Sequence, residues 1–292
     1  MKRRMTFRQW SANNPFISAF LHNKKAIVGL GIMVFFVVVA IFGPLIFPYS
    51  PEIDYANYLA KPSWQHPLGT DGLGRDVFRQ LIAGTNDVLL VAVLTATITI
   101  SIGVTLGLVS GLVGGFVDRL IMLIVNVFLT IPSLPVFLIL AALFTVNDPL
   151  SFALILSIFN WAGLTRAIRS QIISLRERDF IQICKVMDMS TIHIIFKELM
   201  PNVGSYILIN FILVMKNAIT GSVGIMFLGL AAFEPTNWGA ILITAKDFGA
   251  LFIPAARIWL LAPIACIFSF QFGIILLSSG LDEALNPRLR KA

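Results

Sequence analysis

The feature that most constrains this sequence is a series of uncharged, apolar runs that are long enough to cross a lipid bilayer. A transmembrane helix needs about 20 apolar residues, or about 17 to 25 when tilt is allowed for. The runs are 26–47, 88–117, 120–147, 149–165, 199–233 (interrupted only by Lys216) and 258–281. Because a helix satisfies its own backbone hydrogen bonds in lipid, the sequence predicts an all-α membrane protein with about six transmembrane helices.

The composition supports a membrane protein and argues against a soluble one. Hydrophobic residues make up 57% of the chain and charged residues 13%, whereas a soluble domain has roughly 25% charged residues. The net charge of +7 would indicate a nucleic-acid partner only if a soluble domain carried it on one face, so no nucleic-acid partner is expected. The two cysteines, Cys184 and Cys266, lie in an amphipathic segment and in an apolar run, which does not indicate a disulfide framework.

The distribution of Lys and Arg predicts the orientation in the membrane. With the N-terminus inside, the inner side holds 16 of the 22 basic residues and the outer side 5, and Lys216 lies within a span. Such a bias predicts that both termini are cytoplasmic. The predicted regions are a cytoplasmic segment (1–25), a first transmembrane helix (26–47), an extracytoplasmic loop (48–85), a five-helix transmembrane domain (86–281) and a cytoplasmic tail (282–292).

One segment, residues 179–202, is amphipathic where the rest of the chain is apolar. Its hydrophobic residues recur with helical spacing in two sets and predict two short helices. The sets are Phe180, Ile183, Cys184 and Met187, then Ile192, Ile195, Phe196 and Leu199. Asp188 suits the left-handed turn between the helices, and Ser190 suits the N-cap of the second. Such a segment either lies on lipid headgroups or docks into a groove on a cytoplasmic partner.

This segment resembles the cytoplasmic coupling loop of permease subunits of ATP-binding-cassette (ABC) importers, in which an E-A-A pattern is followed by a glycine. Gln182, Ile183 and Cys184 stand at the E-A-A positions and Asp188 at the glycine. Three further stretches resemble signatures of the dipeptide, oligopeptide and nickel permease subfamily. They are "HPLGTDGLGRDVFRQLIAGT" (66–85), "FLGLAAFEPTNWGAIL" (227–242) and "GLDEALNPRLR" (280–290). The glutamate that is typical before F-L-G in this subfamily is replaced by Ser222.

The resemblance implies the type I permease fold of ABC importers, with a coupling loop at about 166–200, in a multi-pass protein of the bacterial inner or plasma membrane. It implies a second homologous permease, two cytoplasmic ATPases and an extracytoplasmic substrate-binding protein as partners. The residues implied in ATPase coupling are Phe180, Gln182, Ile183, Cys184, Met187 and Asp188. No G-x-x-x-x-G-K-[ST] phosphate loop occurs in the sequence, so ATP and Mg are expected in the partner subunits and no cofactor in this chain.

The remaining candidates lie within a span and on the outer side. Lys216 is the only charge within a span and is expected, with Ser222, to contact the translocation path or the partner permease. In the Pro- and Gly-rich outer loop, Asp71, Arg75 and Asp76 either form an ordered cap or contact the receptor or partner.

The function classes that remain are few. The three histidines are dispersed, so no metal site is expected, and no nucleophile elbow indicates an enzyme. The importer substrate stays open between peptides and a nickel chelate or another solute. A self-sufficient secondary transporter or channel is the alternative, although no internal repeat supports it.

Overall fold

The computed structural model describes residues 15–143, 148–228 and 235–285, and over these ranges the chain is helical apart from loops and one isolated bridge between Thr70 and Asp76. The all-α prediction is confirmed. The helices are α1 (Pro15–His22), α2 (Lys24–Ile46), α3 (Val77–Val113), α4 (Gly115–Thr130), α5 (Ser133–Leu143), α6 (Pro149–Arg176), α7 (Asp179–Val186), α8 (Thr191–Phe227), α9 (Trp238–Asp247) and α10 (Arg257–Leu285).

Five helices of the described chain are long and apolar enough to cross a membrane: α2, α3, α6, α8, and α10 with the short turn before it. The predicted span 120–147 is instead divided into α4 and α5, of 16 and 11 residues. The division falls at Pro132, because proline forces the residue before it out of the helical conformation. Ile131 accordingly has an extended backbone, with ψ 126°. The end of this run, 144–147, lies outside the described residues.

The helix ends differ from those that the uncharged runs predict. Helix α3 begins at Val77 rather than at residue 88, because the Asp76 carboxylate caps it by accepting the Arg79 backbone N–H at 2.9 Å. Helix α8 continues from the amphipathic segment into the membrane, and Ile194–Leu199 within it is π-helical. Residues 1–14, the segment 229–234 and the tail 286–292 lie outside the described ranges, so predictions that fall there stay predictions.

Close backbone approach between helices holds the bundle together. Three glycines of α3, spaced four residues apart, each receive one large side chain of α6. The pairs are Gly103 with Leu164, Gly107 with Ile168 and Gly111 with Ile172. A Cβ at any of these glycines would lie within 2.8 Å of its partner side chain. Small residues of this kind are what lets helices pack in lipid, where the hydrophobic effect supplies no attraction between them.

An ion pair fastens the turn between α3 and α4 to α6. The Asp118 carboxylate accepts hydrogen bonds from both Nε and Nη2 of Arg169 and from the Ser110 hydroxyl. The hydrogen bond from Arg169 is the main reason that the pKa of Asp118 is lowered to about 2. Since the pKa is lowered, the pair contributes its full stability above the ordinary pKa near 3.8 and loses it as the pH falls towards 2. The ion pair between Asp118 and Arg169 therefore stays ionised at physiological pH.

Candidate functional site

Helix α7 turns one apolar face inward and another outward. Ile181 is fully buried and Cys184 is 7% exposed, and both pack in a core cluster that includes Ile172 of α6. Ile183 and Met187 point away from that cluster and are 58% and 63% exposed. The predicted stripe of Phe180, Ile183, Cys184 and Met187 is therefore wrong as a single face. The four side chains differ in burial because the helix bundle covers only one side of this short helix.

The turn after α7 has the geometry that the sequence predicts. Asp188 has φ 52°, a left-handed conformation that a glycine would adopt without strain. The backbone N–H of Met189 donates to the Cys184 carbonyl at 3.0 Å and closes the end of the helix. The Ser190 hydroxyl accepts the His193 N–H at 3.3 Å and caps α8. Both the left-handed turn and the N-cap are confirmed.

Five exposed apolar side chains flank this turn on α7 and the start of α8. We call them the coupling surface: Ile183, Val186, Met187, Ile192 and Phe196. Each is 58% to 88% exposed. Contiguous exposed apolar residues at a polar boundary mark protein or membrane contacts, whereas single ones are ordinary. The arrangement can therefore insert into a cleft on another protein.

Other members of the predicted coupling set have structural contacts. The Gln182 side-chain amide donates to the Arg176 carbonyl at 2.9 Å, so it ties α7 to the C-terminal end of α6. Phe180 is half-buried against the same core cluster as Cys184. Of the second predicted set, Leu199 is fully buried while Ile192 and Phe196 are exposed. Val186 was missed, because its position does not match the repeat of the other apolar residues.

A second candidate region is a cleft of ≈ 660 Å³ between α5, α8 and α10. Its lining residues are Ser133, Phe137, Lys216, Asn217, Thr220, Gly221, Gly224, Ile225, Leu228 and Gln271. Lys216, Thr220 and Gly224 share one face of α8 because they are four residues apart. Lys216 and Ser222, which the sequence grouped as one candidate contact, are separated in the structure. Ser222 does not line the cleft: it is 3% exposed, and its hydroxyl donates to the Ile219 carbonyl at 2.9 Å.

Polar contacts join the two long helices across this cleft. The Thr220 hydroxyl donates to the Lys216 carbonyl at 3.1 Å and accepts from Nε2 of Gln271 at 2.9 Å. Within the described ranges the Lys216 ammonium forms no ion pair. Sequence reasoning missed Thr220 and Gln271. The four-residue spacing from Lys216 pointed to Thr220, whereas nothing in the sequence pointed to Gln271 on another helix.

The outer loop is an ordered cap, held together by its own carboxylates. Asp71 is fully buried and accepts hydrogen bonds from Arg75 Nε (2.8 Å), Gln80 Nε2 (2.9 Å) and two backbone N–H groups. Asp76 caps α3 and contacts His66 Nδ1 at 2.9 Å. Of the two alternatives for Asp71, this buried and hydrogen-bonded carboxylate favours the ordered cap over contact with a receptor or partner. Asp76 and Arg75 are also mostly buried, at 7% and 12% side-chain exposure.

Two family models match this chain. The model described as "Binding-protein-dependent transport system inner membrane component" matches residues 103–291, well over half of the chain. The model described as "N-terminal TM domain of oligopeptide transport permease C" matches residues 16–62. Together they include α2, the coupling surface, the cleft and the first part of the outer loop, up to residue 62.

Several curated proteins are similar over nearly the whole chain. A dipeptide transport system permease protein of Alkalihalophilus pseudofirmus is 35% identical over 97% of this chain and 93% of its own length. An oligopeptide transport system permease protein of Bacillus subtilis is 30% identical over 93% of this chain and 88% of its own length. A metal-staphylopine import system permease protein of Staphylococcus aureus is 38% identical over 94% and 93%.

Proposed function

This chain belongs to the family of inner membrane components of binding-protein-dependent transport systems, and from that membership we propose that its coupling surface binds a cytoplasmic ATPase. It is a permease subunit of an ABC importer for peptides or related solutes, a transport component rather than an enzyme. We further propose two ATPases that hold ATP and Mg, a second homologous permease and an extracytoplasmic binding protein as its partners.

The observation that carries the proposal is the exposure of the coupling surface. Lipid-facing side chains are expected to be exposed in an isolated chain, but α7 has only eight residues, which is too few to cross a bilayer. Three of the eight are polar or charged, and the helix is followed by a polar turn at Asp188. Its outward apolar residues therefore lie at the edge of the membrane domain, where a protein partner can cover them. Burial of one such side chain is worth about 1.5 to 3 kcal/mol, so several supply enough free energy for stable docking.

The proposed substrate is a peptide or a related solute, following the names of the relatives. Two of the three relatives described above are named for dipeptide or oligopeptide transport and the third for metal-staphylopine import. The cleft around Lys216 is the proposed part of the translocation path in this chain. Its volume of ≈ 660 Å³ lies within the range of about 300 to 1,000 Å³ that is usual for small-molecule sites.

Reconstitution with single omissions tests the proposed function. We expect peptide uptake into vesicles that contain this chain, the second permease, both ATPases and the binding protein, and no uptake when any one of them is left out. The ATPases should co-purify with this chain in a fixed ratio. Uptake by this chain alone, without ATP, would instead identify a self-sufficient transporter and overturn the proposal.

Cysteine labelling from outside the cell tests the proposed orientation. In a variant whose native Cys184 and Cys266 are alanine, a cysteine at the fully exposed Trp64 position should react with a membrane-impermeant maleimide. A cysteine in place of Glu177, next to the coupling surface and 67% exposed at its side chain, should react only after the membrane is opened. The reverse pattern would place the coupling surface outside and exclude an ATPase as its partner.

A further inference from the structure

We infer that the cleft around Lys216 binds the carboxylate of the transported solute, the terminal carboxylate of a peptide. The inference rests on the proposed function, because it requires the cleft to lie on the translocation path. It adds the chemical group that is recognised and the residues that recognise it.

The charge of the cleft favours an anion. Lys216 lies in the middle of the uncharged run 199–233, and an ammonium group at that depth is stabilised only by a cavity or a partner. Within the described parts of the chain, the residues that line the cleft include no Asp or Glu, and the Lys216 ammonium has no ion-pair partner. The described lining therefore carries one positive charge and no negative charge.

The neutral polar groups add hydrogen-bond donors. The only proton of the Thr220 hydroxyl goes to the Lys216 carbonyl, so this oxygen can only accept, and it accepts one N–H of Gln271. Within the described residues, the second N–H of Gln271 and the side-chain amide of Asn217 have no other hydrogen-bond partner and can donate to a ligand. A carboxylate has two acceptor oxygens and about four lone-pair sites, which suits an ammonium and two amide donors.

The cleft also has room for the rest of a peptide. Among the described residues, no atom beyond the helix's own neighbouring backbone lies within 4 Å of the position that a Cβ on Gly224 would occupy. Phe137, Ile225 and Leu228 add apolar walls beside the polar end. A ligand bound by its carboxylate at Lys216 can therefore lay its side chains along Gly224. This division into one charged end and apolar walls is typical of small-molecule sites.

The test compares a tripeptide with its C-terminal amide in vesicles that hold the complete importer. Each peptide is supplied at the concentration that loads the binding protein equally, so that the receptor's own preference does not enter. We expect the ratio of acid uptake to amide uptake to fall by about tenfold in Lys216→Gln, the loss of one charge-assisted hydrogen bond. Lys216→Arg should keep the ratio, and so should Lys24→Gln, the same change at an exposed lysine on α2.

Three outcomes would overturn the inference. In the first, the ratio is the same in Lys216→Gln as in the unchanged chain. In the second, Lys216→Gln lowers the uptake of both peptides by the same factor and loses the second permease on purification, which would assign the lysine to a carboxylate of that partner. In the third, Lys216→Arg loses the preference as fully as Lys216→Gln does, which would remove the role of charge.

A steric variant separates failure of this inference from failure of the proposed path. Gly224→Trp places a large side chain into open space, so it should fill the cleft without displacing backbone. If it blocks uptake of both peptides while the ATPases stay bound, the cleft lies on the path, whatever Lys216 does. If Gly224→Trp transports normally, the cleft does not lie on the translocation path. The proposed carboxylate site is then wrong as well, because it requires that path.

Discussion

Replacement of both Ile183 and Met187 by aspartate should abolish substrate uptake and release the ATPases, while the chain remains in the membrane at normal abundance. The two side chains are 58% and 63% exposed, so the fold does not depend on their burial. In the assembled importer they would instead lie in a cleft of the ATPase. Each then contributes about 1.5 to 3 kcal/mol, and the loss of both weakens docking by a few kcal/mol.

Matched variants on the same short helix separate docking from folding. Ile183→Leu with Met187→Leu keeps both positions apolar and should retain uptake and bound ATPase. Ile181→Asp places a charge in the buried core cluster instead, and it should lower the abundance of the chain. The measurements are pull-down of the ATPases and uptake in vesicles. If the double aspartate variant still transports, the coupling surface does not bind the ATPase and only contacts lipid headgroups.

Asp71→Asn should loosen the outer loop, with a cost of about 3 to 5 kcal/mol, the range seen when one partner of a buried ion pair is removed. The change keeps the size of the side chain. However, its new NH₂ group must face donors in either orientation: Arg75 Nε and Gln80 Nε2 on one side, or the backbone N–H groups of Leu73 and Arg75 on the other. Arg75, whose side chain is 12% exposed, is then left without its counter-charge. We expect much faster cleavage of the loop by protease added from outside and a lower yield of assembled importer.

Glu52→Gln is the control for the Asp71 variant, because Glu52 is exposed in the same loop. It should leave the rate of cleavage unchanged. If Asp71→Asn left the loop equally resistant and reduced only the affinity for the binding protein, Asp71 would have to be accessible to the receptor. That result would contradict the buried hydrogen-bonded position that the structure gives it.

The sequence predicts the membrane spans well because the cost of burying charge in lipid is large and local. It also predicts the Asp188 turn and the Ser190 cap, since both depend on residues that are close in the chain. The divided span was visible in principle at Pro132, which disfavours a helical Ile131. The early start of α3 was not visible in an uncharged run, because it depends on a cap at Asp76.

The faces of α7 and the cleft could not be predicted, because they depend on contacts between distant parts of the chain. Helical spacing groups Cys184 with Ile183 and Met187, and only the position of α6 decides that Cys184 turns inward. Gln271 is 51 residues from Thr220 along the chain, so their hydrogen bond has no local signal. The same holds for Asp71, whose turn-forming neighbours suggest a surface loop although its carboxylate is buried.

Helix α8 carries residues of both candidate sites, the coupling surface and the cleft around Lys216. It runs without interruption from Thr191 to Phe227, 37 residues, which at 1.5 Å per residue is about 55 Å. Ile192 and Phe196 of the coupling surface lie near one end, and Lys216 lies about 30 Å from Phe196 along the helix axis. If the proposed ATPase tilted this helix as a rigid body by about 10°, the Lys216 backbone would move by about 5 Å over that length. The π-helical segment Ile194–Leu199 lies at the coupling-surface end of this helix. Because sharp helix bends are commonly found at π-bulges, a bend there would absorb part of such a tilt.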